Sequence, residues 1–297
     1  MKEKYCISTF APKALKPQTK EEFGYFLAGL IDADGHISKA GYVQVDFHAN
    51  DKSVAYLLQK VIGCGKIMQE REKLSLRYRC TSITGLVFIC DLLRHKLKHL
   101  NKIDQFNTRL VPLLKKHSLT TENINCEPTL YTEYNLFENH WLAGFIQGDG
   151  SLAIIQTKLS SSRFLSTRLF VSISQKKSNL LNLIQSFIGG CVGYRKSQDT
   201  YYYTSSSFTN AVKLISYLDK YQLMGNKLTQ YWIWRKAYLL VQAKKHLTAE
   251  GEAKIAFLKA NLAQLRKAKL ENLSEKDLQY RLQAKKKRKL LRMLKKV

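Results

Sequence analysis

The chain contains one short pattern twice, and this duplication constrains its fold more than any other feature. The first copy reads FLAGLIDADGHI from Phe26 to Ile37, and the second reads WLAGFIQGDGSL from Trp141 to Leu152. In both copies apolar residues recur at the spacing of a buried helix face. Glycine inside a helix costs about 1 kcal/mol relative to alanine, so its repetition at one place predicts that the two helices pack closely against each other.

An aspartate precedes a glycine at the end of each predicted helix. We expect Gly35 and Gly150 to end the helices in the left-handed conformation, which leaves Asp34 and Asp149 in the last turns. Paired helices would bring both carboxylates to one end, where like charges about 4 Å apart repel by roughly 4 kcal/mol at an effective dielectric near 20. A divalent metal ion is the simplest compensation, so both acids are candidate metal ligands.

Residues 27–35 read LAGLIDADG, and on these residues the chain resembles the single-chain, two-repeat LAGLIDADG homing endonucleases. The second copy departs from the motif at Phe145, Gln147 and Gly148. Because Gln147 stands where Asp32 stands in the first copy, we do not expect Asp32 to bind metal. The resemblance implies an α+β fold of two pseudo-symmetric αββαββα repeats, packed through the LAGLIDADG helices and forming a saddle of antiparallel sheets.

The repeat and the changes in composition divide the chain into five predicted segments. These are an N-terminal arm at 1–21, a first LAGLIDADG repeat at 22–106, a linker at 107–139, a second repeat at 140–242, and a basic helical tail at 243–297. The tail has 17 lysines and arginines against 5 acids, and we expect the repeats to close their core without it. Extra length in the second repeat falls at the hairpin TKLSSSRFLST.

Charge indicates the kind of partner. A formal net charge of +26 and a pI near 9.8 favour a polyanion, either nucleic acid or an anionic membrane. No apolar run approaches the length of a membrane span, so nucleic acid is the better prediction. Six cysteines without CxxC spacing argue against a zinc ribbon, and we expect them to be reduced core residues.

Alternating strands provide candidate DNA contacts, because a two-stranded ribbon fits a major groove. Aligning RLFVSISQ at 168–175 with YVQVDFHA at 42–49 matches Gln44 with Phe170 and His48 with Ser174. An ordinary solvated sheet surface would show the same alternation. The predicted DNA-binding residues are Tyr42, Gln44, Asp46, His48, Arg77, Arg79, Arg168, Phe170, Ser172, Arg195, Tyr202 and Thr204.

The resemblance also implies catalytic residues besides Asp34 and Asp149. It implies one lysine from each half, and Lys102 and Lys227 match by position, although each is also one basic residue among 49. It implies a glutamine at the end of a central strand, where Gln175 fits and the first half has Ala49. Mg²⁺, with Mn²⁺ as a substitute, would then bind the two acids with backbone near Ala33 and Gly148.

As a whole, the resemblance implies a monomeric, site-specific nuclease that cuts a long asymmetric double-stranded DNA target. It further implies an intron-encoded, organellar protein of the mitochondrion or chloroplast. The basic tail, with KKKRK at 285–289, motivates a rival hypothesis of an intron-RNA maturase with or without residual nuclease activity. A transcription regulator is a third possibility, but neither it nor RNA binding alone requires both acids. His95 and His99 have metal-ligand spacing, yet we predict a solvated basic face there.

Overall fold

The structure is a computed structural model that describes residues 6–13, 16–70, 75–117, 135–158, 160 and 163–266. The first half contains α1 (Lys20–Asp34), β1 (Gly35–Ile37), β2 (Val43–His48), α2 (Lys52–Ile62), β3 (Lys66–Glu70), β4 (Ser75–Cys80), α3 (Ile83–Leu93), α4 (Leu100–Gln105) and α5 (Val111–Lys116). The second half contains α6 (Trp141–Asp149), β5 (Gly150–Thr157), β6 (Ser166–Gln175), α7 (Asn179–Ile188), β7 (Cys191–Arg195), β8 (Thr200–Ser205), α8 (Phe208–Lys220), α9 (Gly225–Gln242) and α10 (Ala249–Arg266).

Each half contains one antiparallel sheet of four strands. The strand order is β1-β2-β4-β3 in the first sheet and β5-β6-β8-β7 in the second. The predicted α+β fold of two αββαββα repeats is therefore confirmed. The extra length of the second half lengthens its first hairpin, because β5 and β6 have 8 and 10 residues whereas β1 and β2 have 3 and 6.

Helix α1 begins where its sequence predicts an N-terminus. Thr19 accepts a hydrogen bond from the backbone N–H of Glu22 at 3.1 Å, and the Glu22 carboxylate accepts one from the backbone N–H of Thr19 at 3.2 Å. This capping box satisfies two N–H groups that the first helical turn leaves unpaired. Beyond it Phe26, Leu30 and Ile31 are fully or almost fully buried, so α1 is the central helix of the first half.

The two glycines that follow the aspartates are not left-handed, and that expectation is wrong. Gly35 has φ −80° and ψ 160°, and Gly150 has φ −72° and ψ 142°, so both are extended residues that begin strands. Close approach of backbone atoms from the preceding helical turn explains why both residues are glycines. A Cβ on Gly35 would lie 2.5 Å from the Ile31 Cα, and a Cβ on Gly150 would lie 2.6 Å from the Ile146 oxygen.

The strand register corrects the alignment between the halves. Gly35 pairs with Val45 and Gly150 pairs with Ile173, so Val45 and Ile173 are structurally equivalent. The equivalent of Gln44 is consequently Ser172, not Phe170, and His48 is equivalent to the residue two places after Ser174. A slip of two residues keeps every side chain on its own face of the sheet, so alternation alone could not reveal it.

The described part of the basic tail belongs to the core, which contradicts our expectation. Helix α10 buries Ile255 completely and leaves Leu262 only 2% exposed, and it packs on α9 and β5. The rest of the predicted tail, including KKKRK, and most of the predicted linker lie outside the described residues. Whether the five segments begin and end where the sequence places them stays a prediction.

Two smaller expectations also differ from the structure. Cys80 and Cys90 are buried as expected, but Cys6 and Cys191 are exposed. Helix α3 ends at Leu93, and His95 has a positive φ of 57°. His95 and His99 therefore do not share a helix face. Within the described ranges, no helix has the length and apolar character needed to cross a lipid bilayer.

Candidate active site

Helices α1 and α6 meet through their glycines. A Cβ on Gly29 would lie 1.9 Å from the Trp141 carbonyl oxygen, and a Cβ on Gly144 would lie 2.0 Å from the Phe26 carbonyl oxygen. Real Cβ atoms do not approach oxygens this closely, so only glycine allows the two backbones to touch at both points. The predicted pairing of the duplicated helices is confirmed, and it fixes the relative position of the two halves.

The pairing brings the two aspartates to one place. A Cβ on Gly148 would lie 2.6 Å from the Ala33 Cβ and 3.1 Å from the Asp34 Oδ2. The Asp34 carboxylate thus lies against the backbone immediately before Asp149. Their helices run side by side and end together, so one carboxylate from each half reaches a shared site.

Both acids reach solvent, because Asp34 is exposed and Asp149 is half-buried, but neighbouring protein atoms still remove part of their hydration. Burial raises the pKa of Asp34 to about 6, and it raises the pKa of Asp149 to about 7 with a further contribution from the Asp34 charge. The positive charges of Lys102 and Lys227 act in the opposite direction on both acids. The negative charge of one carboxylate makes ionisation of the other less favourable. A bound cation would therefore stabilise the pair in its doubly ionised form.

Lys102 and Lys227 occupy equivalent places beside the acids. The Lys102 Nζ donates to the Gly35 carbonyl at 2.5 Å, and the Lys227 Nζ donates to the Gly150 carbonyl at 2.5 Å. Each lysine therefore binds the residue that follows the aspartate of its own half. Burial lowers the pKa of both lysines, while the neighbouring acids raise it.

Asp32 is buried, 1% exposed, and binds N–H groups inside the protein; that it does not bind metal stays a prediction. Its carboxylate accepts hydrogen bonds from the backbone N–H of Lys98 at 2.8 Å, from that of His99 at 3.2 Å and from the Trp141 Nε1 at 2.8 Å. The two backbone hydrogen bonds anchor the loop before α4, which is the helix that carries Lys102. The bond from Trp141 joins the same carboxylate to α6.

Gln147 makes the corresponding contact in the second half. Its Oε1 accepts a hydrogen bond from the backbone N–H of Met224 at 2.9 Å, directly before the helix that carries Lys227. The sixth residue of each motif therefore connects a central helix to the start of a lysine-bearing helix. Sequence comparison alone excluded Asp32 as a shared metal ligand but did not reveal this role.

Although burial raises the pKa of Asp32 to about 6, we expect Asp32→Asn to destabilise the fold by about 2 kcal/mol, because the new amide donates where Asp32 accepts from the N–H groups of Lys98, His99 and Trp141. Urea denaturation at pH 8 would measure the difference from the original protein. Asp91→Asn is the matched control, since Asp91 is an exposed acid paired only with Lys20 among the ion pairs of the described residues. Equal stability of the Asp32 and Asp91 variants would contradict this structural role.

Gln175 lies beside Asp149, at the end of strand β6. Its Nε2 donates to the Asp149 carboxylate, so it orients that acid. Because β6 is shifted by two residues relative to the sequence alignment, the equivalent residue in the first half is Phe47 rather than Ala49. Phe47 is a core residue, 7% exposed, so the two sides of the site differ chemically.

On the first sheet, the predicted DNA-facing side chains form one connected network. The Gln44 Oε1 accepts from the Arg79 Nε at 3.0 Å and Nη2 at 2.7 Å, while its Nε2 donates to Asp46 at 3.1 Å. Asp46 also accepts from the Arg77 Nε at 2.8 Å. The Arg79 guanidinium lies 4.2 Å from the ring centre of Tyr42. His48 continues the same strand face and is exposed, so this surface presents ordered donors and acceptors.

The second sheet has a comparable outer face. Ser172 lies opposite Thr204, and the Arg195 guanidinium lies 5.3 Å from the ring of Tyr202. The predicted residues on this face are Arg168, Phe170, Ser172, Arg195, Tyr202 and Thr204. The register adds outer-face residues that the sequence analysis missed, namely His36, Lys66, Met68 and Ser75 in the first sheet and Ser151, Ala153, Ile155, Thr157, Cys191 and Thr200 in the second. Alternation from Gly150 to Thr157 would have indicated four of them.

The chemistry of the site fits a divalent cation. Asp34 and Asp149 offer hard oxygen ligands, and magnesium in phosphoryl-transfer sites is typically held by one or two carboxylates together with substrate phosphates and water. Across the described ranges, no group of three or more His, Cys, Asp or Glu side chains is arranged to hold a metal ion. The protein would therefore supply part of the ligand set, with the two carboxylates as its side-chain ligands.

Comparison with known proteins places this geometry in a family. Residues 142–238 match the family model of the LAGLIDADG endonuclease. The 37.2 kDa protein of cox1 intron 2 from Schizosaccharomyces pombe is 39% identical over 252 residues, which cover 84% of this chain and 75% of that protein. The intron-encoded RNA maturase bI4 of Saccharomyces cerevisiae is 23% identical, over 68% of this chain and 30% of its own length.

Solved structures give the same result. The meganuclease I-SmaMI, bound to uncleavable DNA, superposes with a TM-score of 0.64 at 25% identity, over 80% of this chain and 98% of that one. Two copies of the motif, two equivalent sheets and two aspartates at the ends of paired helices occur together here. The chain belongs to the LAGLIDADG endonuclease family.

Proposed function

We propose that this protein is a homing endonuclease that cleaves both strands of a long, asymmetric DNA site by divalent-metal-dependent hydrolysis of phosphodiester bonds. The observation that carries the proposal is the pair of aspartates that meet at the ends of the two central helices, one from each half, with one lysine held beside each. A protein that only bound nucleic acid would have no reason to bring two mutually repelling acids together.

The residues of the chain divide the work as follows. Asp34 and Asp149 would hold Mg²⁺ or Mn²⁺, which when bound stabilises charge on phosphate oxygens and makes water a better nucleophile near neutral pH. Lys102 and Lys227 present positive charge next to the reacting phosphates. Gln175 fixes the orientation of Asp149. Because each half contributes an acid and a lysine, the two halves can act on the two strands.

Double-stranded DNA is the proposed partner, and the two sheets are its proposed contact surface. Their outer faces carry arginines, amides, hydroxyls and aromatic rings, which are the groups that read base edges and contact phosphates. Since the two networks differ residue by residue, we infer that the half-sites differ in sequence. The DNA-bound state of I-SmaMI supports this choice. Two active halves in one chain are consistent with a functional monomer.

Cleavage of the intron-free gene tests the proposal. We expect the purified protein with Mg²⁺ to cut a plasmid carrying the joined exons, and to leave a plasmid with the intron in place intact. Linear product that requires Mg²⁺ and is absent with EDTA would support the function. Persistence of the supercoiled plasmid across Mg²⁺ and Mn²⁺ titrations would contradict it.

The pKa values of the acids predict the pH dependence of metal binding. Protons compete with the metal at Asp34 and Asp149, whose pKa values are raised to about 6 and about 7. The ionised pair is therefore fully available only above about pH 8, one unit above the higher pKa, and is lost as the pH falls through about 7 and about 6. We expect the Mg²⁺ concentration for half-maximal cleavage to be at least about tenfold higher at pH 6 than at pH 8. Equal half-maximal concentrations would contradict metal binding by these acids.

An intron-RNA maturase is the second candidate function. The basic tail and the similarity to a yeast RNA maturase favour it. Splicing of the purified intron RNA with the protein present would test it separately from DNA cleavage. The relatives named for introns support an intron-encoded origin, and a cox1 intron relative favours the mitochondrion over the chloroplast as the proposed location.

A further inference from the structure

The last turn of α10 is attached to the edge of the active site. The Leu265 carbonyl oxygen accepts hydrogen bonds from the Asn50 Nδ2 at 3.1 Å and from the Asn226 Nδ2 at 3.2 Å. Asn50 belongs to the first half, and Asn226 directly precedes Lys227. Two amides from different halves therefore fix the end of this helix beside one of the two lysines of the site.

The next residue, Arg266, brings a cation to this place. Its side chain is exposed, and its charge lowers the pKa of Lys227, so the two positive groups lie close enough to repel each other. The planar fork of an arginine matches the geometry of a phosphate. An exposed arginine next to the half-buried Lys227 has the chemistry of a phosphate-binding pair.

The pseudo-symmetry of the halves shows what Arg266 replaces. Helices α2 and α7 are equivalent, because Gln59 binds the Gly65 carbonyl at 2.9 Å just as Gln185 binds the Gly190 carbonyl at 3.1 Å. This equivalence matches Asp51, directly before α2, with Lys177.

Asp51 and Lys177 occupy equivalent positions but have different neighbours. Lys177 lines an open pocket together with His99 and Gln175. Asp51 instead accepts a hydrogen bond from the Gln147 Nε2 at 3.4 Å, and the positive charge of Lys227 opposes the effect of burial on the pKa of Asp51. The side that carries Lys227 thus has an acid where the other side has a lysine, and the end of α10 supplies the missing positive charge there.

We propose that Arg266 binds a DNA backbone phosphate beside the scissile bond on the side of Lys227, so that α10 completes one of the two cleavage sites. This inference rests on the proposed nuclease function. It makes the two strands depend on different cations, Arg266 on one side and Lys177 on the other.

Strand-resolved cleavage tests the assignment. The substrate is a joined-exon duplex labelled on each strand with a different fluorophore, and the strand served by Lys227 is defined as the one that Lys227→Ala slows more. We expect Arg266→Ala to slow that same strand on the order of 10- to 100-fold and to accumulate nicked product. Arg266→Lys should recover part of the rate, and Lys177→Ala should slow the opposite strand. Lys259→Ala, on an exposed face of α10, is the charge-matched control and should cut both strands at the original rate.

The salt dependence of DNA affinity gives a second test. It would not change if Arg266 only supported the fold. In Ca²⁺ without cleavage, Arg266→Ala should reduce the slope of log affinity against log salt by about 0.9, the value for one lost phosphate contact. If the original protein cuts but Arg266→Ala slows both strands equally, or behaves like Lys259→Ala, the assignment of Arg266 is wrong and the nuclease function stands. If the original protein does not cut, both proposals fail.

Discussion

Asp34→Asn is expected to reduce DNA cleavage by more than about 10³-fold while leaving specific DNA binding within a few fold of the original protein. Asparagine keeps the size of the side chain but removes half of the paired charge that would hold the metal. The contacts of the sheets with DNA do not involve this residue. Rates of plasmid linearisation and affinity in Ca²⁺ would separate the two effects.

The same variant should be more stable than the original protein in the absence of metal. Because folding raises the pKa values of Asp34 and Asp149 above the ordinary value, the folded state binds more protons than the unfolded state between about pH 4 and pH 7, and stability falls as pH rises through that window. Removing one acid removes this penalty. Because Asp34 is exposed to solvent, which screens its repulsion with Asp149, we expect a gain of only about 1 kcal/mol at pH 8 and little gain at pH 4. Urea denaturation at both pH values would measure it.

The control for this pair of effects is Asp91→Asn, which changes an exposed acid and should alter neither cleavage nor the pH dependence of stability. Loss of cleavage together with loss of folding in Asp34→Asn would show that the acid is structural. Full cleavage by Asp34→Asn would remove the acid from the catalytic site. A gain in stability with a loss of activity is typical of residues kept for function at a cost to the fold.

Gly144→Ala is expected to destabilise the protein by more than about 3 kcal/mol and to abolish cleavage at 37 °C. The added methyl group would lie 2.0 Å from the Phe26 carbonyl oxygen and 2.9 Å from its carbonyl carbon. Both atoms belong to the backbone of a buried helix, so a side-chain rotation cannot relieve the overlap. The helices must separate, which moves Asp34 and Asp149 relative to each other.

Gly63→Ala is the matched control, because a Cβ at this position meets no atom within 4 Å. Its positive φ of 78° still carries a backbone penalty, for which we expect about 1 kcal/mol. Thermal unfolding of both variants would measure the difference. If Gly144→Ala were no less stable than Gly63→Ala, close contact between the two central helices would not describe the protein in solution.

The pairing of α1 and α6 is predictable from the sequence, because two helix backbones that touch require glycine at the point of contact. Glycine is costly inside a helix, so Gly29 and Gly144 at matching places indicate an interface where the two helices touch. Asp34 and Asp149 follow at a fixed distance along the same helices, and their meeting is a geometric consequence. Comparison of the two copies also distinguishes Asp32 from these acids, because the second copy has Gln147 at the equivalent position.

Other features depend on interactions that a sequence pattern does not record. The period of two in β6 is unchanged by a slip of two residues, so Phe170 was matched with Gln44 in place of Ser172. Gly35 and Gly150 are glycines because of neighbouring atoms, not because of a left-handed turn. The attachment of α10 through Asn50 and Asn226 joins residues far apart in the chain, and neither local composition nor periodicity indicated that contact.

The most direct test of the account is an anomalous difference map from crystals of the protein bound to its DNA target with Mn²⁺. A metal site shared by the two halves predicts density between the carboxylates of Asp34 and Asp149, in contact with both and with phosphate oxygens of the DNA. Density at neither acid, or at a single acid without contact to DNA, would contradict a shared metal site at the ends of the paired helices.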